Sequence, residues 1–387
     1  MSEHSLDELG PLPALLGHQS GDVVPIVTPV GDKMWLVREY ALGRLVLTDK
    51  RFSRAEALRP EAPRLNDAQP VPDSIMSMDG SEHARLRRIV AGAFTTGRVA
   101  AMAPAIERLV DGHLDAIEAY GPGADLIDGL AAPLPLTVLC SLLGVPPEDS
   151  SRFRGWVEVL FDISTRSPRE KARHRLELNR YMRRLIERKR QRPEPDLLTA
   201  LIEAHQREEL SMAELVTMGL ALLMAGYETT VGQIGVAALA LLSDTAARDE
   251  LRARPDRLAS TVEELLRLSP STPVSFPRVA VEAVTLGSVT IQAGEGVTVS
   301  LLDANRDGKT FPEPAMLEPD RRGAAHLTFG HGPHRCPGAA LARLQVQIVV
   351  ERLLSRFPAA RVAPVADPVV WKEGLGTRGL SRLAVAW

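Results

Sequence analysis

Residues 329–338 read FGHGPHRCPG, and the apolar run AALARLQVQIVVERLL follows directly. Ten residues hold three glycines, two prolines, two histidines and one of the only two cysteines in the chain. Glycines at 330, 332 and 338 allow tight turns and close approach of another group to the backbone. Pro337 and Gly338 stand where a helix begins, so Cys336 is placed at a helix N-terminus. There the backbone N–H groups and the helix dipole favour an anion. A lone thiolate presented in this way suits a soft metal ion such as iron.

Composition narrows what that thiolate can serve. The chain has 387 residues, 46 basic and 49 acidic, for a net charge of -3. Nucleic-acid binding driven by bulk charge is excluded, although local patches are not. Hydrophobic residues make up 45% and charged residues 25%, as in an ordinary globular protein with a large core. The first ten residues, MSEHSLDELG, carry three acids and no Lys or Arg. They read as neither a secretory signal nor a membrane anchor, so a cytoplasmic location is expected. Two cysteines cannot build a disulfide framework or a cysteine-rich zinc site. Cys140 lies in an apolar helical run and reads as core.

The hydrophobic pattern is mainly helical, with a short β-rich part near each end. Residues 22–48 give two β-like runs about a Gly-Asp turn and then a helix. Helical spacing runs from about 81 to 120. LTVLCSLLGVP ends a helix at Gly144, with Pro146 beyond it. Residues 148–163 and 168–192 read as amphipathic helices, the second rich in Arg. Residues 279–300 alternate like strands, and 360–387 are β-rich again. No repeat or linker divides the chain, so a single domain over 1–387 is expected.

The longest apolar segment, 210–244, is long enough for a membrane span, yet Glu228, Thr229, Thr230 and Gln233 sit in its middle. A helix through the centre of a large domain fits better. Buried polar groups are costly unless they are paired or used. Gly226 costs such a helix about 0.5–1 kcal/mol relative to alanine. The AGYETT stretch therefore reads either as a helix packing contact with a satisfied polar cluster, or as a place where something flat lies against the backbone.

With these features in order, FGHGPHRCPGAALAR resembles the haem-binding loop of the cytochrome P-450 family, Phe-x-x-Gly-x-x-x-Cys-x-Gly. Phe329, Gly332, Cys336 and Gly338 match, and further landmarks extend the resemblance over nearly the whole chain. It implies a mainly α fold with small β sheets, a triangular prism with haem b between a long central helix and the Cys-loop helix. Cys336 resembles the proximal iron ligand, and Phe329 the residue that shields it. His83, Arg87, Arg278 and His334 match the family's contacts to the haem propionates. Ala225 and Gly226 would let the porphyrin and O2 approach the central helix. Glu228 and Thr229 match the acid–alcohol pair that delivers protons during O2 activation. EELLR, 263–267, supplies the Glu-x-x-Arg pair as Glu264 and Arg267, with Arg321 completing a structural ion network. Leu317-Glu318 stands where the family more often has Phe-Asp.

The resemblance implies a monooxygenase that inserts one oxygen atom of O2 into a C–H or C=C bond of a small apolar molecule, such as a natural-product intermediate. Electrons from NAD(P)H would arrive through a separate ferredoxin and its reductase, with Arg88, Arg335 and Arg343 as docking charges on a monomer. Leu222, Val274, Phe276, Leu375 and Gly376 would line the substrate pocket, together with the 60–80 loop and the 155–185 region. Two alternatives stand beside this reading. One is oxidative coupling or rearrangement by the same site without net oxygen insertion. The other is a haem carrier or gas sensor without turnover, which would not need a proton relay.

Overall fold

The computed structural model describes residues 20–66, 71–149, 152, 153, 155, 156, 159, 167–372 and 377–387. Leu375 and Gly376, and most of the helix expected over 148–163, lie outside them. The chain gathers into two compact units.

The first unit comprises residues 1–72, 76–80 and 236–339. Its centre is a five-stranded sheet in the order Val23–Val27, Lys33–Val37, Gly296–Val299, Arg278–Ala280 and Phe52–Ser53. The first pair is the predicted hairpin, turning at Gly31 with φ +89°. The second pairing is parallel, so the chain needs a long excursion between these two strands. Val37, Val46, Phe52, Val297, Val299 and Phe311 pack into one buried cluster on this sheet. The strand pattern read over 279–300 resolves into Arg278–Ala280, the hairpin Val284–Leu286 with Val289–Ile291, and Gly296–Val299.

The second unit comprises residues 73–75, 81–235 and 340–387 and is mainly helical. The spacing over 81–120 becomes Thr96–Ala101, Ala103–Tyr120 and most of Gly80–Ala91. Pro133–Leu143 ends as the sequence requires, with Gly144 left-handed at φ +66°. The Arg-rich helix spans Pro168–Gln191. The C-terminal residues pair as Val369–Trp371, Leu380–Ala386 and Ala124–Asp125, with Arg361–Val362 also on Leu380–Ala386.

The long apolar segment is one helix, Met212–Ser243. Its start is a capping box: Glu214 N–H donates to Ser211 Oγ at 3.1 Å, and Ser211 N–H to Glu214 Oε2 at 2.8 Å. Among the described residues it alone is long and apolar enough to cross a bilayer, but every residue from Val231 to Leu242 is buried by protein.

Candidate active site

The Cys loop lies in the first unit and is shaped by its glycines. Gly330 and Gly332 have φ +69° and +70°, a conformation other residues adopt only under strain. A Cβ on Gly332 would lie 2.7 Å from Thr48 Cγ2 and 2.9 Å from the Leu47 carbonyl oxygen, so the loop is pressed against the helix Tyr40–Thr48. Gly330 N–H donates to Leu327 O at 2.7 Å and Cys336 N–H to Phe329 O at 2.8 Å, which closes the loop on itself. The helix Ala339–Arg356 starts three residues after Cys336. Neither cysteine is in a disulfide. Burial pushes the Cys140 thiol up to about 12, with Asp149 adding to the shift, which makes it an inert core residue. Cys336 is half-buried, as is the Phe329 ring 5.9 Å from the His326 ring.

Beside the loop lies a charged cluster of which the sequence showed only part. Arg278 and His334 were expected; Arg54 and Asp79 join them. Asp79 Oδ2 accepts from Ser53 Oγ at 2.7 Å, Arg54 N–H at 2.8 Å and Ala55 N–H at 2.9 Å. His334 Nε2 is 3.5 Å from Asp79 Oδ1. Arg54 is buried, donates to Met76 O at 2.8 Å and to Pro277 O, and lies 5.0 Å over the Phe276 ring. Burial, reinforced by Arg278, lowers the Arg54 guanidinium to about 9. Burial likewise lowers Arg278 to about 10, against the pull of Asp79. Two buried guanidinium groups thus face one carboxylate that is already engaged. Among the described residues none accepts a hydrogen bond from the Arg278 guanidinium. A buried cation short of partners calls for an anion from outside the chain. A haem propionate fits this cluster. Nothing in the spacing of Arg54 or Asp79 relative to the Cys loop could have revealed them.

The ion network is also in the first unit. Glu264 accepts from Arg267 Nε at 2.7 Å, Arg321 Nε at 3.0 Å and Glu318 N–H at 3.1 Å. Arg267 is 1% exposed and donates to the carbonyl oxygens of Asn305, Pro314 and Met316. Burial disfavours the Glu264 carboxylate, but Arg267 and Arg321 outweigh it and hold the group below its ordinary value.

In the second unit, His83 and Arg87 are one turn apart on Gly80–Ala91, His83 buried and Arg87 half-buried. On the central helix Ala225 is exposed although most of its neighbours are not. Thr229 Oγ1 donates to Ala225 O at 2.8 Å, so the hydroxyl oxygen stays beside that open surface as an acceptor. A Cβ on Gly226 would lie 2.9 Å from Leu139 Cδ2, so the glycine accommodates the neighbouring helix Pro133–Leu143. Packing alone accounts for Gly226; the open surface belongs to Ala225. Glu228 is buried at 2% exposure and accepts from Lys372 Nζ at 2.6 Å. Lys372 is 144 residues away, and no spacing pattern points to it. Of the expected pocket residues, Leu222 is half-buried, Val274 is buried and Phe276 is 54% exposed. Arg88 and Arg335 are exposed and Arg343 is half-buried.

Comparison with known proteins gives the same answer. The family model described as Cytochrome P450 matches residues 150–368. Nocardicin C N-oxygenase of Nocardia uniformis subsp. tsuyamanensis is 39% identical, over 93% of this chain and 91% of its own length. Mycinamicin IV hydroxylase/epoxidase of Micromonospora griseorubida is 40% identical with the same coverage. Among solved structures, cytochrome P450mel 107F1, described as having biaryl coupling reactivity, superimposes with a TM-score of 0.87 at 38% identity, over 92% of this chain and 90% of its own.

Proposed function

The chain belongs to the cytochrome P450 family, and we propose that it oxygenates a small apolar natural-product intermediate through a haem b held by Cys336. The family's chemistry is monooxygenation with O2, using NAD(P)H-derived electrons delivered by redox partners. The observation that carries the residue assignment is the Cys336 thiol at the head of a helix, in a loop fixed by Gly330 and Gly332, next to the buried guanidinium groups of Arg54 and Arg278.

Haem b, when bound, supplies O2 activation and oxygen transfer. The chain supplies the setting. Cys336 gives the thiolate ligand, and Phe329 and Gly338 keep its surroundings close and apolar. Arg54, Arg278 and His334 would receive a propionate, and His83 and Arg87 are the further propionate contacts that the family resemblance assigns. Ala225 would leave the central helix low enough for the porphyrin to approach. Thr229 offers an acceptor oxygen at that surface, and Glu228 supplies the acid from which protons reach it. Val274, Leu222 and Phe276 line the substrate side. The whole chain acts as one functional domain, a cytoplasmic monomer that takes electrons from a ferredoxin through Arg88, Arg335 and Arg343.

Oxidative coupling without oxygen insertion is the second reading, favoured by the biaryl-coupling neighbour. A screen of apolar compounds by haem absorbance shift identifies a substrate, and turnover under labelled O2 then separates the two. The expected product carries one labelled oxygen atom per NADH consumed. A product that loses hydrogen and gains no label overturns the monooxygenase assignment for that substrate.

A further inference from the structure

We propose that Lys372 is a positioning residue for the acid on the central helix: its ammonium fixes the Glu228 carboxylate and ties it to the C-terminal hairpin, so that acid and hairpin move as one element. The inference rests on the haem-enzyme reading above and adds a residue to it.

A carboxylate at 2% exposure in the middle of a 32-residue apolar helix is strongly unfavourable without a cation. Lys372 Nζ, 2.6 Å from Glu228 Oε1, supplies one. The lysine directly follows the strand Val369–Trp371, and its N–H donates to Gly379 O at 2.9 Å across the hairpin. A Cβ on Gly379 would lie 3.1 Å from the Gly232 Cα, so hairpin and helix meet backbone to backbone. One turn on, a Cβ on Gly235 would lie 3.7 Å from Leu380 Cδ1. Positions 228, 232 and 235 fall on one stripe of a helix. That stripe is the hairpin's seat: Gly232 meets the hairpin backbone at Gly379, Gly235 admits the side chains of Ile127 and Leu380, and Glu228 holds Lys372. Arg378 lies 4.8 Å over the Trp371 ring, which stiffens the hairpin above this seat.

Thr229 is the next residue, turned about 100° around the helix axis, and its hydroxyl joins the Ala225 side instead. Glu228 is therefore held facing the hairpin while Thr229 faces the open surface. The Lys372 side chain is 20% exposed against 2% for Glu228, so the lysine is where the buried acid meets solvent. Its place on the hairpin couples the acid's orientation to whatever displaces that hairpin.

Lys372→Met keeps the stem and removes the charge, and Lys372→Arg keeps the charge. Holoenzymes are compared with NADH, a plant-type ferredoxin and its reductase, without added substrate. In Lys372→Met the O2 consumption rate falls by about tenfold and the solvent deuterium isotope effect rises, because proton delivery becomes limiting. Lys372→Arg restores both. Hydrogen exchange of the Val369–Trp371 and Leu380–Ala386 amides speeds up equally in Lys372→Met and Glu228→Gln, with no further gain in the double variant. Rates, isotope effects and exchange all within about twofold of wild type in Lys372→Met overturn the proposal, as does a Lys372→Arg variant no better than Lys372→Met. A wild-type protein that binds haem without thiolate ligation overturns the enzyme reading itself, and is recognised separately by its spectrum.

Discussion

Glu264→Gln lowers the unfolding free energy by about 3–5 kcal/mol at neutral pH, the cost of removing one partner from a buried ion network. The variant leaves Arg267 almost fully buried, and it removes the charge that Arg321 Nε and Glu318 N–H also address. The three carbonyl acceptors on Arg267 remain, so the segment 305–316 still has a donor but no counter-charge balances it. The depressed folded value of Glu264 fixes the sign with pH. The stabilisation is fully present above the unfolded carboxylate value of about 4.3 and is lost as pH falls through the lower folded value. Urea unfolding of both proteins measures it. A loss below about 1 kcal/mol at pH 7 means the network is no stronger than a surface pair.

Thr229→Ala raises the hydrogen peroxide released per NADH by about tenfold, with NADH oxidation itself continuing. Alanine is the best helix former, and the side-chain bond to Ala225 O that it deletes is worth only about 1 kcal/mol, so the helix persists. What disappears is the acceptor oxygen beside Ala225. Each failed cycle then spends one NADH and one proton to reduce O2 to hydrogen peroxide, and product falls by the same number of electrons. Peroxide yield with NADH under a saturating substrate reads it directly. An unchanged yield removes Thr229 from the catalytic residues.

The sequence revealed most where one residue type must satisfy several constraints at once. The Cys loop is such a place: Gly332 faces Thr48 at a distance that admits no Cβ, and Cys336 follows four residues later. Glu264 and Arg267 were legible because i,i+3 spacing makes them neighbours on their helix before any tertiary contact forms. Gly226 shows the limit of such reading. A glycine in a helix signals close approach, and the sequence cannot say whether a cofactor or Leu139 is approaching. Arg54, Asp79 and Lys372 were not legible at all. Each works through partners brought near by tertiary folding: Arg54 through Pro277, Asp79 through His334, Lys372 through Glu228. Arginines, aspartates and lysines are common surface residues, so only the partners they meet in the folded chain distinguish these three.

The central claim is that Cys336 is an iron-ligating thiolate. The ferrous–carbon monoxide complex of the haem-loaded protein, formed under gentle reduction, tests it most directly. The expected result is the red-shifted Soret band of a thiolate-ligated haem in the wild type and its loss in Cys336→Ser. A wild-type complex with the unshifted band of a nitrogen-ligated haem, or a Cys336→Ser variant that keeps the red-shifted band, contradicts the account.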